Sequence, residues 1–272
     1  MDPKPVKHRE SPKYPTRREA MAQGAVFLGL VATGGCSGQS GNQATDGDSQ
    51  PISEDDRAQT RAVVAPLFEH GEGRGAVGCV VVSPPIFLSE EEALQIIKEE
   101  LAGQGIELGK GQPLSGVATE PLSPWKPEIS KQEDMEEETA IPVGVDAVDP
   151  RKRIAVQYVS SEDVSDFAKG MLFTSTVGEY DTKGLAGKLA TAIRRQAQDP
   201  LYVGVFFDPL VPMDLGFDHA EFPGKRDEPP PTEDEMDAWF DRMHRTSEEK
   251  SKALLRQQVT DFLAWLKQKK AI

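Results

Sequence analysis

The chain has 272 residues, and its 31 Lys/Arg against 45 Asp/Glu give a formal net charge of −14. The first 35 residues hold six basic and three acidic side chains, a net of +3, so the remainder carries about −17 (−14 − 3). A chain this acidic repels phosphate backbones and anionic headgroups, so we expect no nucleic-acid partner and attribute the acidity mainly to solubility.

The N-terminal segment has the order of charged and apolar residues that is typical of an export signal. Residues 1–20 are polar and basic and include the pair Arg17 and Arg18, and an apolar run follows from Gly24 to Thr33. This run has about ten residues, whereas a helix that spans a bilayer needs about 20. A short apolar run behind a basic segment predicts a cleavable signal peptide.

Cys36 follows two glycines and precedes a polar stretch rich in Gly, Ser, Asn and Gln, which we interpret as a flexible tether over 37–55. This arrangement resembles a bacterial lipoprotein signal peptide, and the pair Arg17-Arg18 resembles the start of a twin-arginine signal. The resemblance covers residues 16–37. It implies a diacylglyceryl group on the Cys36 thiol, cleavage just before Cys36, and attachment to a membrane of the cell envelope.

Two alternatives remain open for this segment. An ordinary signal peptidase could instead cut after the small-x-small triplet Thr33-Gly34-Gly35, which would leave Cys36 without a lipid. In an oxidising compartment Cys36 could pair with Cys79, the second of the two cysteines in the chain. If Cys36 is acylated, Cys79 is expected to be a buried apolar side chain in a strand.

The first part of the mature chain predicts a helix, a strand and a second helix. A short helix is indicated over 53–69, and an apolar, β-branched run predicts a buried strand over 76–83. Ser89, with Glu92 three positions later, is a capping box and predicts a helix over 90–102.

The region after this helix is less regular. Ile106 and Leu108 indicate a short strand, and residues 109–140 combine four prolines with an acidic run. That composition predicts a long surface insertion, with a functional loop as the alternative.

The rest of the chain alternates strands and helices before a helical C-terminus. Predicted strands cover 141–147, 152–160, 171–177 and 201–207, predicted helices cover 161–169 and 183–198, and 208–231 is loop-like. Two further helices are expected, one from a capping box at Thr232 and one from about Thr246. We expect both to pack on the domain, with a partner-binding arm as the alternative.

These elements predict an α/β fold, with α+β as the alternative, in which helices cover a mixed sheet and a helical pair ends the chain. The predicted organisation is a signal peptide (1–36), a tether (37–55), a mixed domain (56–231) with an insertion at about 109–140, and C-terminal helices (232–272).

Two glycine-containing segments are weighed as phosphate-binding loops and rejected. The series Gly71-x-Gly73-x-Gly75 precedes a strand, whereas a dinucleotide fingerprint must follow one. The segment from Thr182 to Leu189 lacks the first glycine and the magnesium-binding hydroxyl of a phosphate loop, so Lys188 is expected to face solvent.

The stretch with the most side chains suited to catalysis or metal binding directly follows the strand predicted at 201–207. Its acids and histidine could bind a divalent cation, although their spacing matches no recognised metal motif. The candidate ligands are Asp208, Asp214, Asp218, His219 and Glu221.

The sequence therefore supports two functional hypotheses. The first is an exported, lipid-anchored envelope protein that binds or scaffolds an envelope protein or a small ligand, with no catalytic residues and no cofactor assigned. The second is an exported metal-dependent hydrolase that uses the acids of the 208–221 loop.

Overall fold

A mixed four-stranded sheet with helices on both faces forms the centre of the fold. The computed structural model describes residues 61–78, 81, 83–122, 140–168, 173–174, 177–213 and 231–272, all within the unit Pro51–Ile272. The strands are β1 (Val63–Val64), β2 (Arg74–Gly78), β3 (Gln112–Thr119), β4 (Ile141–Val145), β5 (Ala147–Asp149), β6 (Ile154–Val159), β7 (Phe173–Thr174), β8 (Val177–Asp181) and β9 (Tyr202–Phe207). The helices are α1 (Glu90–Ala102), α2 (Ser161–Phe167), α3 (Thr182–Gln196) and α4 (Glu233–Gln268).

The central sheet has the strand order β1-β9-β6-β5. Strands β1, β9 and β6 run parallel, and β5 pairs antiparallel with β6. Two smaller antiparallel sheets accompany it, one of order β2-β8-β7 and one formed by β3 and β4. The predicted α/β class with a mixed, helix-covered sheet is therefore confirmed.

Both faces of the central sheet are buried, because β6 and β9 send alternate side chains into two separate apolar layers. Val203 and Phe207 of β9 pack in the layer that contains Leu189 and Ile193 of α3. Tyr202 and Phe206 point to the opposite layer, which α1 and α4 supply. That second layer contains Ile97, Leu101, Leu255, Val259 and Phe262.

Capping residues mark the starts of α1 and α2, and the cap of α1 was predicted from the sequence. Ser89 Oγ accepts the Glu92 N–H at 3.2 Å and starts α1 as predicted, but the Glu92 carboxylate contacts Lys252 Nζ of α4 at 2.8 Å. Ser160 and Asp163 form a complete capping box at the start of α2. Helix α1 ends at Ala102, as predicted, and Gly103 follows as its C-cap.

The predicted C-terminal helical pair is wrong, because α4 is one continuous helix of 36 residues. Its capping box at Thr232 is confirmed. The second predicted start fails because the hydroxyl of Thr246 donates to the Arg242 carbonyl one turn back, at 2.8 Å. The neighbouring Ser247 hydroxyl donates to the Pro212 carbonyl at 3.2 Å, so neither side chain caps a helix.

The helix predicted over 53–69 is wrong within the described residues. Val63 and Val64 form β1, which pairs with Tyr202 and Val203 of β9. Two consecutive β-branched residues fit this pairing better than a helix, and the partner strand lies too far away in sequence for local pattern to reveal it.

The strand predicted over 76–83 is present in part, but it is not buried. Strand β2 begins at Arg74 and belongs to the small β2-β8-β7 sheet, where its residues from Gly75 to Gly78 are only half-buried. Cys79 lies outside the described residues.

The surface insertion predicted at 109–140 is also wrong in part. Residues 112–119 form β3, which pairs antiparallel with β4 and contributes Leu114 and Val117 to the core. The register shifts between Pro113 and Ala118, and Gly116 within this irregularity has a φ of 70°. The short strand expected at Ile106 and Leu108 does not form, and residues 123–139 lie outside the described ranges.

The remaining predicted elements are close to the observed ones. Strands β4 and β6, helices α2 and α3, and strand β9 lie where the sequence places them, and β9 is buried along its whole length. The strand predicted over 171–177 corresponds to two short strands, β7 and β8.

Candidate functional site at the carboxyl end of the parallel strands

The carboxyl ends of β6 and β9 lie side by side, and this is the end of a parallel sheet where ligand sites commonly form. The Asp208 N–H continues the ladder beyond β9 and donates to the Val159 carbonyl at 3.0 Å. The residue that follows β6, Ser160, caps α2. Asp208 and the start of α2 therefore occupy the same edge of the sheet.

Asp208 is completely buried, and its carboxylate connects the loop after β9 with the segment before α1. Its Oδ2 accepts the Leu88 N–H at 2.9 Å, just before α1, and its Oδ1 accepts the Leu210 N–H at 3.2 Å. Burial raises the pKa of this carboxyl to about 7, against the lowering effect of the two N–H donors. The side chain thus acts as a link between loops.

The loop after Asp208 is held in a strained conformation. Leu210 has a φ of 51°, a left-handed backbone conformation that side chains other than Gly adopt at a cost of roughly 1–2 kcal/mol. The bond from its N–H to Asp208 helps to stabilise this conformation. Two further backbone bonds, Met213 N to Pro84 O and Ile86 N to Val211 O, fix the loop against the segment before α1.

The N-terminus of α3 is closed by groups of the protein itself. The Thr182 and Lys183 N–H groups both point to the Gly73 carbonyl, at 2.8 and 3.4 Å. The Asp181 carboxylate accepts the Gly184 N–H at 2.7 Å. These bonds use donors that a phosphate loop would present, and Lys188 is exposed as expected, which agrees with rejecting the phosphate-loop interpretation of the segment from Thr182 to Leu189.

Tyr158 carries a buried hydroxyl close to this edge of the sheet. In the described part of the chain, its Oη and the Oγ of Ser251 are the buried side-chain oxygens without a hydrogen-bond partner. Burial raises the Tyr158 pKa well above its ordinary value, and the carboxylates of Asp208 and Asp163 add to the rise. The sequence offered no signal for this hydroxyl, because Tyr158 reads as one apolar position in an alternating strand.

Of the five candidate metal ligands, the structure describes only Asp208. The other four, Asp214, Asp218, His219 and Glu221, lie outside the described residues. Among the residues that are described, no group of three or more His, Cys, Asp or Glu side chains is arranged to hold a metal ion.

The residues of the predicted export signal cannot be placed either. Arg17, Arg18 and Cys36 all precede Arg61, the first described residue. Among the helices that are described, none is both long and apolar enough to cross a membrane.

Comparison with known proteins does not assign the chain to a family. No family model matches the chain, and no curated protein or solved structure shows significant similarity to it.

Proposed function

We propose that this chain is an exported envelope protein, lipid-anchored through Cys36, whose α/β domain binds or scaffolds other envelope components. The order of residues within 16–37 carries the proposal: an arginine pair, a short apolar run, small residues and then Cys36. An apolar run of about ten residues cannot span a bilayer, so a covalent lipid on the Cys36 thiol would supply the membrane attachment.

The use of the buried acids supports binding over catalysis. Asp208 accepts two backbone N–H groups, and Asp149 accepts three, from Glu107, Arg151 and Lys152. Carboxylates that hold loops in this way stabilise a surface, and they have fewer lone pairs left for proton transfer or for a cation.

A cysteine exchange tests the anchoring part of the proposal. The Cys36→Ser chain should move from the membrane fraction to the soluble fraction of the host, because serine cannot form the thioether to the lipid. The matched control is Cys79→Ser, the other cysteine of the chain, which should stay in the membrane fraction. A wild-type chain that is already soluble would contradict the proposal, and a Cys36–Cys79 disulfide would show as a non-reducing gel shift lost in both variants.

The second candidate is an exported metal-dependent hydrolase, and the position of Asp208 at the carboxyl end of β9 favours it. Calorimetry with Ca²⁺, Zn²⁺ and Mn²⁺ tests this function directly. If the chain is such a hydrolase, at least one cation should bind with measurable heat, and Asp218→Ala should weaken that binding. The control Asp237→Ala, on the exposed face of α4, should leave it unchanged. Absence of binding heat for all three cations would end this alternative.

A further inference from the structure

The outer edge of β3 is covered by side chains of the segment that ends α3. The Ala118 N–H donates to Gln196 Oε1 at 3.0 Å, and Gln196 Nε2 donates to the Ala118 carbonyl at 2.9 Å. The primary amide thus occupies both polar groups of one strand residue, as a neighbouring strand would do.

The geometry of the β3–β4 pair explains why Ala118 needs this partner. Ala118 stands opposite Pro142 of β4, and proline has no N–H to donate across the ladder. The two bonds to Gln196 show that the Ala118 N–H and carbonyl face away from β4, toward the outer edge, as in a non-hydrogen-bonded pair of an antiparallel ladder. Without Gln196 they would be available to any other strand.

Three further features discourage strand pairing along the same edge. The Ser115 N–H donates to Asp199 Oδ2 at 3.3 Å, so a second side chain from beyond α3 occupies a β3 donor. Pro113 offers no N–H, and the pairing register with β4 is irregular around Gly116. Natural proteins use such features, namely proline, bulges and charged side chains, to keep sheet edges from associating.

We infer that Gln196 and Asp199 form an edge guard, which keeps β3 from pairing edge to edge with β3 of a second copy of this chain. Gln196 is solvent-exposed, so its two bonds contribute little to the stability of the core. Removing them should therefore leave the fold intact. Their effect is to remove the donors and acceptors that a second β3 would use.

The experiment measures mass against concentration for the full chain, using analytical ultracentrifugation. All variants carry Cys36→Ser, so that no acyl group contributes to association and the result is independent of the proposed anchor. The parent should keep one mass, 29.7 kDa, at every concentration. The double variant Gln196→Ala/Asp199→Ala should move toward twice that mass as the concentration rises.

Two controls make the cause specific. Gln198→Ala removes an exposed amide that bonds the Gln196 carbonyl and not β3, and it should leave the mass unchanged. Adding Ala118→Pro to the double variant removes the freed N–H and should restore the single mass. The inference is overturned if the double variant keeps the parent mass, if Ala118→Pro fails to reverse association, or if the parent already associates in a manner that Ala118→Pro abolishes.

Discussion

Asp208 ties the end of β9 to the segment before α1, and its carboxylate has no contact with solvent. A buried charge is costly unless hydrogen bonds compensate for lost hydration, and here two backbone N–H groups do so only in part. The raised pKa, about 7, expresses the remaining cost of keeping this group charged.

The first prediction concerns the pH dependence that Asp208 confers on stability. Because the folded pKa of about 7 lies above the ordinary value of 3.8, the folded state holds the proton more tightly than the unfolded state. The contribution to stability is therefore complete below about pH 4 and is lost as pH rises through about 7, by up to ~4 kcal/mol. Urea unfolding at pH 5 and pH 8 should show the wild type less stable at pH 8.

Asp208→Asn isolates this effect from those of other titrating groups. The amide does not ionise, so the difference in stability between wild type and variant should change with pH over this interval. The variant should be less stable than the wild type at pH 5. Both oxygens of Asp208 accept a backbone N–H, whereas the Nδ2 of Asn is a donor and leaves one of these N–H groups without an acceptor. A wild type and variant with parallel pH profiles would contradict the assigned pKa.

At the scale of elements, α4 is joined to the end of β9 by a buried side chain. Gln258 Oε1 accepts the Phe207 N–H at 3.2 Å, and its Nε2 donates to the Phe207 carbonyl at 3.1 Å and to the His70 carbonyl at 2.9 Å. This is the same pairing of a primary amide with one strand residue that Gln196 makes, but here it is completely buried.

We predict that Gln258→Glu destabilises the fold by about 2–3 kcal/mol, because a carboxylate would face two carbonyl oxygens with no proton to donate. The loss should shrink at low pH, where the glutamate is protonated. The neighbouring Gln257 is exposed, so Gln257→Glu is the matched control and should change the free energy of unfolding by less than about 0.5 kcal/mol. Equal effects of the two substitutions would contradict the assigned role of Gln258.

Elements whose signals are local could be predicted from the sequence. The capping residues Ser89 and Thr232 mark helix starts within one turn of the chain, and β9 is a continuous apolar run. Strands β1 and β3 could not be predicted in the same way, because β1 depends on pairing with β9 and β3 on pairing with β4. The unbroken α4 was missed because Thr246 and Ser247 resemble a cap until their actual hydrogen-bond partners are known.

At the scale of the whole molecule, the central sheet and the two smaller sheets leave some backbone groups without a strand partner in the described residues, and side chains from distant segments bond two such residues. Gln258 covers β9 at Phe207, and Gln196 covers β3 at Ala118. The candidate site shows the same dependence on long-range contacts. The sequence identifies Asp208 as a candidate ligand. It does not predict that the Leu88 N–H bonds one oxygen of Asp208, because Leu88 lies 120 positions away in the chain.

The central claim is that the chain is exported and anchored through Cys36, and the intact mass of protein purified from the host membrane fraction tests it most directly. We predict a chain that begins at Cys36 and carries added acyl mass. An unprocessed chain that begins at Met1 and is found in the soluble fraction would contradict export and anchoring together.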